Sequence, residues 1–139
     1  MALHKIGTTA LLQAVYTRLT SDALTLTYNI FNYVPPSTTS FPYVMIGGML
    51  WGKSADWTSA DIKGEDIVIH AHVWSSSHSD AEAGTMMNNI VQAITASDIS
   101  ITGYTTLKGI ADFAQIMTDT TNPNQLLRHG VIRFRFHLA

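Results

Sequence analysis

The chain contains no cysteine, which excludes disulfide bonds, thiolate zinc sites and cysteine nucleophiles. Charge is scarce as well, because only 13% of the 139 residues are Asp, Glu, Lys or Arg, against a usual value of about 25%. The net charge of −2 supplies no basic field of the kind that nucleic-acid-binding proteins use. A small domain with so few surface charges is poorly protected against association, so the composition favours an obligate oligomer over a monomer.

Several functional sequence patterns are also missing. No apolar run approaches the roughly 20 residues of a membrane span, and there is no glycine-rich phosphate loop or G-x-S-x-G elbow. The N-terminal segment has helical periodicity without an Ala-x-Ala exit, so we expect no signal peptide and synthesis in the cytoplasm. Apolar residues nevertheless make up 46% of the chain and the mean hydropathy is +0.13. These values predict a folded chain, and the length suits one domain spanning 1–139.

Apolar periodicity predicts two helices and a largely antiparallel sheet. A 3.6-residue period indicates the helices, and β-branched, aromatic or alternating segments indicate the strands. The predicted order is a helix over 8–22, strands over 25–34 and 41–50, a long loop or hairpin tip over 51–64, a strand over 65–74, a second helix opened by a capping box of Ser79 and Glu82, and strands over 107–118 and 129–138. The predicted buried stripes of the helices are Leu12, Val15, Tyr16 and Leu19 in the first, and Met86 or Met87, Ile90, Val91 and Ile94 in the second. This order is typical of an α+β domain with both helices on one face of the sheet. Gly47 and Gly48 permit a β-bulge.

Two histidines, His70 and His72, share one face of the predicted third strand, and they stand six and eight residues after a glycine as in a cupin metal site. The cupin carboxylate is missing, since residues 76–77 are serines. A catalytic metal needs at least a third protein ligand, and His78 and His137 are the candidates. We interpret the pair as residues of the less apolar sheet face near a subunit contact, with no metal, no cofactor and no catalytic residue.

The last strand also alternates. Ile132, Phe134 and Phe136 suit the core, whereas Arg133 and Arg135 lie on the opposite face with His137. Two arginines on one strand could meet phosphates, but a solvated or interface face that pairs with Asp and Glu is the favoured interpretation. The acidic residues Asp61, Glu65 and Asp66 are interpreted as a solvated loop rather than as a weak cation site.

Three segments in order resemble the tail-completion, or tail-terminator, proteins of long-tailed bacteriophages and of related prophages and gene-transfer agents. Members of that family typically carry a V-P-x-x-x-x-F-P-Y-V segment, a strand that ends in H-V-W-S before a helix, and a terminal H-G-x-x-R-F-R strand. The matching residues here are Val34, Pro35 and 41–44; 72–75; and His129, Gly130 and 133–135. The loop over 51–64 is richer in Trp, Ser and Thr than the resemblance leads us to expect, so no contacts are transferred to it.

The resemblance implies a structural virion protein at the neck of the tail, made in the host cytoplasm. It implies a homo-oligomeric ring, usually of six copies, that stops growth of the tail tube at its head-proximal end. The ring then meets the tail tube protein on one side and the head connector or head-completion protein on the other. DNA passes through the lumen without sequence-specific binding, and no membrane is involved.

Long loops are the elements most able to reach neighbouring copies. Trp51 and Trp57 are therefore candidate contacts with another copy or with the tail tube, since buried Trp often dominates interface energetics, although local packing in the hairpin is an equal alternative. Arg133 and Arg135 are the other candidates. Two alternative functions remain at this point: another ring of the neck or a tail-tube subunit, and a small His-dependent metalloprotein.

Overall fold

The computed structural model describes residues 8–36, 39–53, 65–77, 79–99, 101, 106–119 and 127–138. The prediction of an α+β fold with two helices and a mostly antiparallel sheet is confirmed. The helices and strands are α1 Thr8–Ser21, β1 Ile30–Phe31, β2 Tyr43–Lys53, β3 Glu65–Ser75, α2 Ala81–Thr95, β4 Thr106–Asp119 and β5 Leu127–Leu138.

The five strands form one sheet in the order β1-β2-β3-β5-β4. Every pair is antiparallel except β1 with β2. The central pair, β3 with β5, stays in register without a break from Glu65 opposite Leu138 to Ser75 opposite Arg128. The pairing of β2 with β3 shifts between Gly47 and Leu50, where the two glycines predicted a bulge.

Both helices pack on one face of this sheet. The sheet contributes alternate residues to the core, which is what a period of two requires when only one face is covered. The fully buried residues of the strands include Val44, Ile46, Ile67, Ile69, Ala71, Val73, Ile132, Phe134 and Phe136. The stripe predicted for α2 is buried at Met86, Met87, Ile90 and Ile94, and Val91 is partly buried against the core. The stripe of α1 is centred one residue earlier than predicted, on Leu11, Val15 and Leu19.

Arg18 bridges the two helices. The guanidinium of Arg18 on α1 donates to the carbonyl oxygens of Ala93 at 3.0 Å, Ser97 at 3.2 Å and Asp98 at 3.1 Å. The last carbonyls of a helix have no partner inside it and carry partial negative charge, so a cation is favoured there. Arg18 therefore caps the end of α2 and fixes α1 beside it.

Two glycines are required by close packing over the sheet. A Cβ atom at Gly130 would run into the sulfur of Met87 on α2, and a Cβ atom at Gly109 would run into the ring of Phe136. Gly130 belongs to the H-G pair of the terminal segment, so its role is to let α2 approach β5.

The predicted strand over 25–34 is wrong over most of its length, because only Ile30–Phe31 forms a strand. Residues 22–28 form turns instead. The carboxylate of Asp22 accepts from the N–H of Leu24 at 2.9 Å, and the hydroxyl of Thr25 donates to the carbonyl of Leu19 at 2.5 Å. These local bonds outweigh the β-propensity of the segment, which measures only how well side chains suit a half-buried sheet.

The predicted capping box at the start of α2 is also wrong. Asp80 is the N-cap residue and makes no side-chain cap hydrogen bond. The carboxylate of Glu82 instead accepts from the hydroxyl of the buried Ser75 at 2.5 Å. Glu82 thus ties the helix to the end of β3 rather than to its own first turn.

The long loop or hairpin tip predicted over 51–64 does not hold for its first three residues. Residues 51–53 belong to β2, and residues 54–64 lie outside the described part of the chain. Among the described residues, neither helix has the length and apolar character needed to cross a bilayer.

We expect Ile90→Asp and Phe134→Asp to prevent folding. Both side chains are at most 1% exposed, and an unpaired buried carboxylate costs several kcal/mol against a total stability of about 5–15 kcal/mol. Circular dichroism and thermal unfolding provide the measurement. The control is Leu26→Asp, at a side chain that is 52% exposed, and it should unfold like the wild type. Normal thermal transitions for the two core variants would contradict the packing of helices on this face.

Candidate assembly surface

The sheet face that no described helix covers is named here the open face. Its residues alternate with the core residues along the same strands, and those whose exposure the structure describes are half-buried or exposed, apart from Val68. The open face includes Tyr43, Met45, His70, His72, Trp74, His129, Val131, Arg133 and Arg135, and on the edge strand Ile110, Phe113 and Met117. The predicted placement of His70 and His72 on one side of β3 is confirmed.

A column of stacked rings runs across the open face. The imidazole of His129 stacks on the indole of Trp74 with ring centroids 3.8 Å apart and planes 7° apart. The ring of His72 follows at 5.1 Å from His129, and His70 lies 6.3 Å from His72. The register explains the column, because Trp74 stands opposite His129 and places His72 on the adjacent diagonal.

His72 and His129 also share a hydrogen bond. Nδ1 of His72 lies 2.9 Å from Nε2 of His129, so one nitrogen must donate and the other must accept. At least one of the two imidazoles is therefore neutral while the bond exists. Burial lowers the pKa of His72 below its ordinary value of 6.5, and positive charge on His129 and His70 lowers it further. Burial lowers the pKa of His129 as well, although Asp119 opposes that effect.

The histidines that the structure describes do not come together as a set of metal ligands. Among the described residues, no group of three or more His, Cys, Asp or Glu side chains could hold a metal ion. Of the two candidate third ligands, His78 lies outside the described residues. His137 is engaged at the far end of β3, where its Nδ1 lies 2.6 Å from a carboxylate oxygen of Asp66. Of the candidate acidic cluster, Asp61 lies outside the described residues and Asp66 pairs with His137.

The two candidate arginines meet one acid on the edge strand. Nε of Arg133 donates to Asp112 at 2.8 Å, and Arg135 reaches the second carboxylate oxygen at 3.3 Å. The hydrogen bond from Arg133 lowers the pKa of Asp112. The guanidinium of Arg133 also lies 5.5 Å from the ring centroid of Phe113. The arginines thus pair with an acid, as interpreted from the sequence, and half of their charge is compensated on the chain itself.

An aromatic groove borders the column of rings. It has a volume of about 210 Å³. The ring of Phe41 stacks on Tyr43 at 5.4 Å, and Phe31 meets Tyr43 edge-on at 6.0 Å. The groove is lined by Val34, Pro35, Pro36, Thr39, Phe41, Tyr43, Met45 and Trp74.

The three segments that carry the family resemblance therefore meet on one part of the open face. The first supplies the aromatic groove, the second supplies His72 and Trp74, and the third supplies His129, Arg133 and the Gly130 that seats α2. They are far apart in the sequence but adjacent in the sheet.

The two candidate tryptophans lie at and beyond the end of the described part of β2. Trp51 lies on β2 opposite Ile67, and Trp57 lies outside the described residues. Sequence reasoning missed the exposed apolar residues of β4, namely Ile110, Phe113 and Met117. Their spacing in the sequence is interrupted by bulges in the pairing of β4 with β5, so they do not follow a regular period of two.

The lowered pKa values of His72 and His129 predict acid-sensitive folding. As pH falls through 6.5, the unfolded chain takes up protons at both positions before the folded chain does, so the free energy of unfolding falls. The loss is complete once pH is below both lowered pKa values. Thermal unfolding between about pH 7.5 and about pH 5.5 measures it. A variant with both His72→Leu and His129→Leu should show a shallower dependence, and an unchanged slope would contradict this assignment.

Known proteins match this chain over most of its length. A family model described as Tail completion protein gp17 matches residues 13–139. The Tail completion protein gp17 of Bacillus phage SPP1 is 29% identical over 102 residues, which are 73% of this chain and 71% of that protein. The solved structure of bacteriophage SPP1 gp17 protein superposes with a TM-score of 0.61 at 26% identity, covering 95% of this chain and 91% of that one.

A chain from the solved virion of a native gene transfer agent (GTA) particle superposes with a TM-score of 0.81 over 97% of this chain and 98% of that one. At 19% identity this likeness shows the fold alone. The resemblance carried by the three segments is confirmed by the family match. The chain belongs to the Tail completion protein gp17 family, the structural proteins that complete the tail of a phage virion.

Proposed function

We propose that this protein assembles into a ring, of six copies, that ends the tail tube at its head-proximal end and joins the tail to the head connector. The observation that carries the proposal is the meeting of the three family segments on a sheet face that no described helix covers. Aromatic and apolar side chains that are half-exposed on one face do not stabilise a monomer further. In an assembling protein, they are buried in contacts between chains.

The physical mechanism is capping. A tube grows because each ring presents a surface that binds the next ring. A ring with one matching side and one different side binds the last ring of the tube and blocks further addition. Contacts between two different surfaces of the same chain close into a ring when the rotation between copies closes. The different side is then free to bind the head-completion or connector protein.

The charges suit a conduit for DNA rather than a DNA-binding site. The net charge of the chain is −2, and Asp112 pairs with both Arg133 and Arg135. Tight phosphate binding needs uncompensated cations. DNA would therefore move through the ring without sequence-specific contacts. The proposal assigns no catalytic step to the chain.

The decisive experiment removes the gene from the phage or prophage that encodes the protein and examines the particles by electron microscopy. We expect tails that are longer than normal and separate from heads, and a plasmid copy of the gene should restore joined tails of normal length. Joined tails of normal length without the protein would contradict the proposal. A complete absence of tails would instead indicate a tube subunit.

The two tryptophans of the 51–64 region provide a test at residue level. We expect the variant with Trp51→Ser and Trp57→Ser to fold but to complement the deletion poorly, since losing a central Trp from an interface typically costs at least about 2 kcal/mol. The control replaces the exposed Leu24 and Leu26, which are 43% and 52% exposed, by Ser, and should complement fully. If the folded Trp variant gave normal tails, the pair would be local packing.

A further inference from the structure

The sheet has two edges that carry no further strand among the described residues. In the order β1-β2-β3-β5-β4, β4 is the last strand on one side. On the other side β1 pairs only with Val44 and Met45, so residues 46–53 of β2 extend beyond it. The backbone N–H and C=O groups that point outward at an edge can pair with a strand from another chain.

The edge at β4 is long and exposed, although its pairing with β5 shifts at two bulges, between Leu107 and Ile110 and between Ala111 and Phe113. β4 is 14 residues long and contains no proline, and residues 110–115 are all exposed. Edge strands of monomeric proteins are normally short or guarded by charges and prolines. Asp112 is directed at Arg133 and Arg135 within its own sheet, which brings it toward β5 and away from the outer side of β4.

The same strand carries a row of exposed apolar side chains on the open face. Ile110 is 49% exposed, Phe113 is 45% exposed and Met117 is 38% exposed. Each stands opposite an open-face residue of β5 in the register. We name these three residues the β4 row. A row of large apolar side chains along an edge strand is stabilised when the side chains of a second strand pack beside it.

The edge at β2 has the opposite character on the same face. Gly47 stands opposite His70 and Gly52 stands opposite Asp66, so both glycines belong to the open face. A Cβ atom added at Gly47 would meet nothing within 4 Å. Glycine within a strand often marks a place where another chain segment approaches closely. At Gly47 this edge thus leaves room, whereas the β4 edge carries bulk.

The strand directions of the two edges are compatible. Three successive antiparallel pairings, β2 with β3, β3 with β5 and β5 with β4, make β2 and β4 run in opposite directions. A rotation about an axis roughly parallel to the strands keeps the direction of every strand. The β2 of one copy and the β4 of its neighbour are therefore antiparallel when copies are placed side by side around such an axis.

We propose that β4 of one copy pairs with residues 46–53 of β2 in the next copy, with the β4 row seated over the side of Gly47 and Gly52. The occupant is a second copy of this chain, because the bulky edge and the glycine edge are both parts of one chain and match in direction and shape. The contact joins two different surfaces, so it repeats from copy to copy, and it forms a ring when the rotation between copies closes. This inference rests on the ring assembly proposed above.

Single substitutions test the two sides. Gly47→Val places its Cβ atom where nothing in its own chain lies within 4 Å, so it should fold normally yet lower the efficiency of ring formation by about tenfold or more. Phe113→Lys should do the same from the other edge. The matched controls are Gly84→Ala, whose new Cβ would make only an ordinary contact with Ile116 at 3.9 Å, and Leu26→Lys. Normal assembly of folded Gly47→Val and Phe113→Lys proteins would overturn the proposal.

Cross-linking in complemented particles identifies the paired edges directly, because the natural chain has no cysteine. Each double variant carries Gly47→Cys and one second cysteine in the same chain. The second cysteine is Phe113→Cys, Gln115→Cys or Met117→Cys in turn, so that alternative registers are covered. We expect ladders of disulfide-linked copies from at least one combination, and none from the single-cysteine chains.

Two results would contradict the edge contact without affecting the proposed ring. Head-joined tails of normal length without disulfide-linked copies in any combination would place the ring contacts elsewhere. Disulfide-linked dimers of the chain carrying Gln115→Cys alone would indicate a two-fold contact of β4 with β4. Failure of the ring proposal itself has a separate signature, namely joined tails of normal length after deletion of the gene.

Discussion

The unbroken register between β3 and β5 is the constraint on which the rest of the structure depends. Eleven residue pairs follow one another without a bulge, so one choice of register assigns every side chain of both central strands to a face. Ile69 and Phe134 form one pair beneath the helices, and His70 and Arg133 form the next pair on the open face. A slip by one residue would exchange these faces and bury the charged set. The register of β3 with β5 therefore determines both the hydrophobic core and the column of stacked side-chain rings.

Features that depend only on the spacing of apolar residues could be predicted from the sequence. These features are the two helices, the alternation of β3 and β5 and the α+β arrangement. Local patterns failed where a specific hydrogen bond outweighs propensity, as at Asp22 and Thr25, whose bonds shorten β1, and at Glu82, which bonds to β3. They also could not supply the register between strands distant in sequence. The bond between His72 and His129 depends on that register, and so does the pairing of the arginines with an acid on β4.

The sequence-based contact at Trp51 and the contact inferred between strand edges concern neighbouring parts of the molecule. Trp51 lies within residues 46–53, the part of β2 that extends beyond β1. A strand edge constrains a partner more strongly than an apolar anchor does, because its backbone hydrogen bonds fix direction and spacing. In the proposed assembly, Trp51 would add affinity to a geometry that the backbone sets. The two contacts are thus compatible, and substitution of either need not abolish the other.

Folding and assembly are divided between the two faces of the same strands. Residues directed at the helices determine whether the domain folds, and residues on the open face are available for partners. His72 and His129 belong to both groups, since they are half-buried, lie on the open face and lose their mutual hydrogen bond when both are protonated. Protonation would place two positive charges beside the aromatic groove while lowering the stability of the fold. The affinity of any contact made at this part of the open face therefore depends on the charge of this pair. A contact that requires the neutral pair is weakened as pH falls, over the same range in which the fold loses stability.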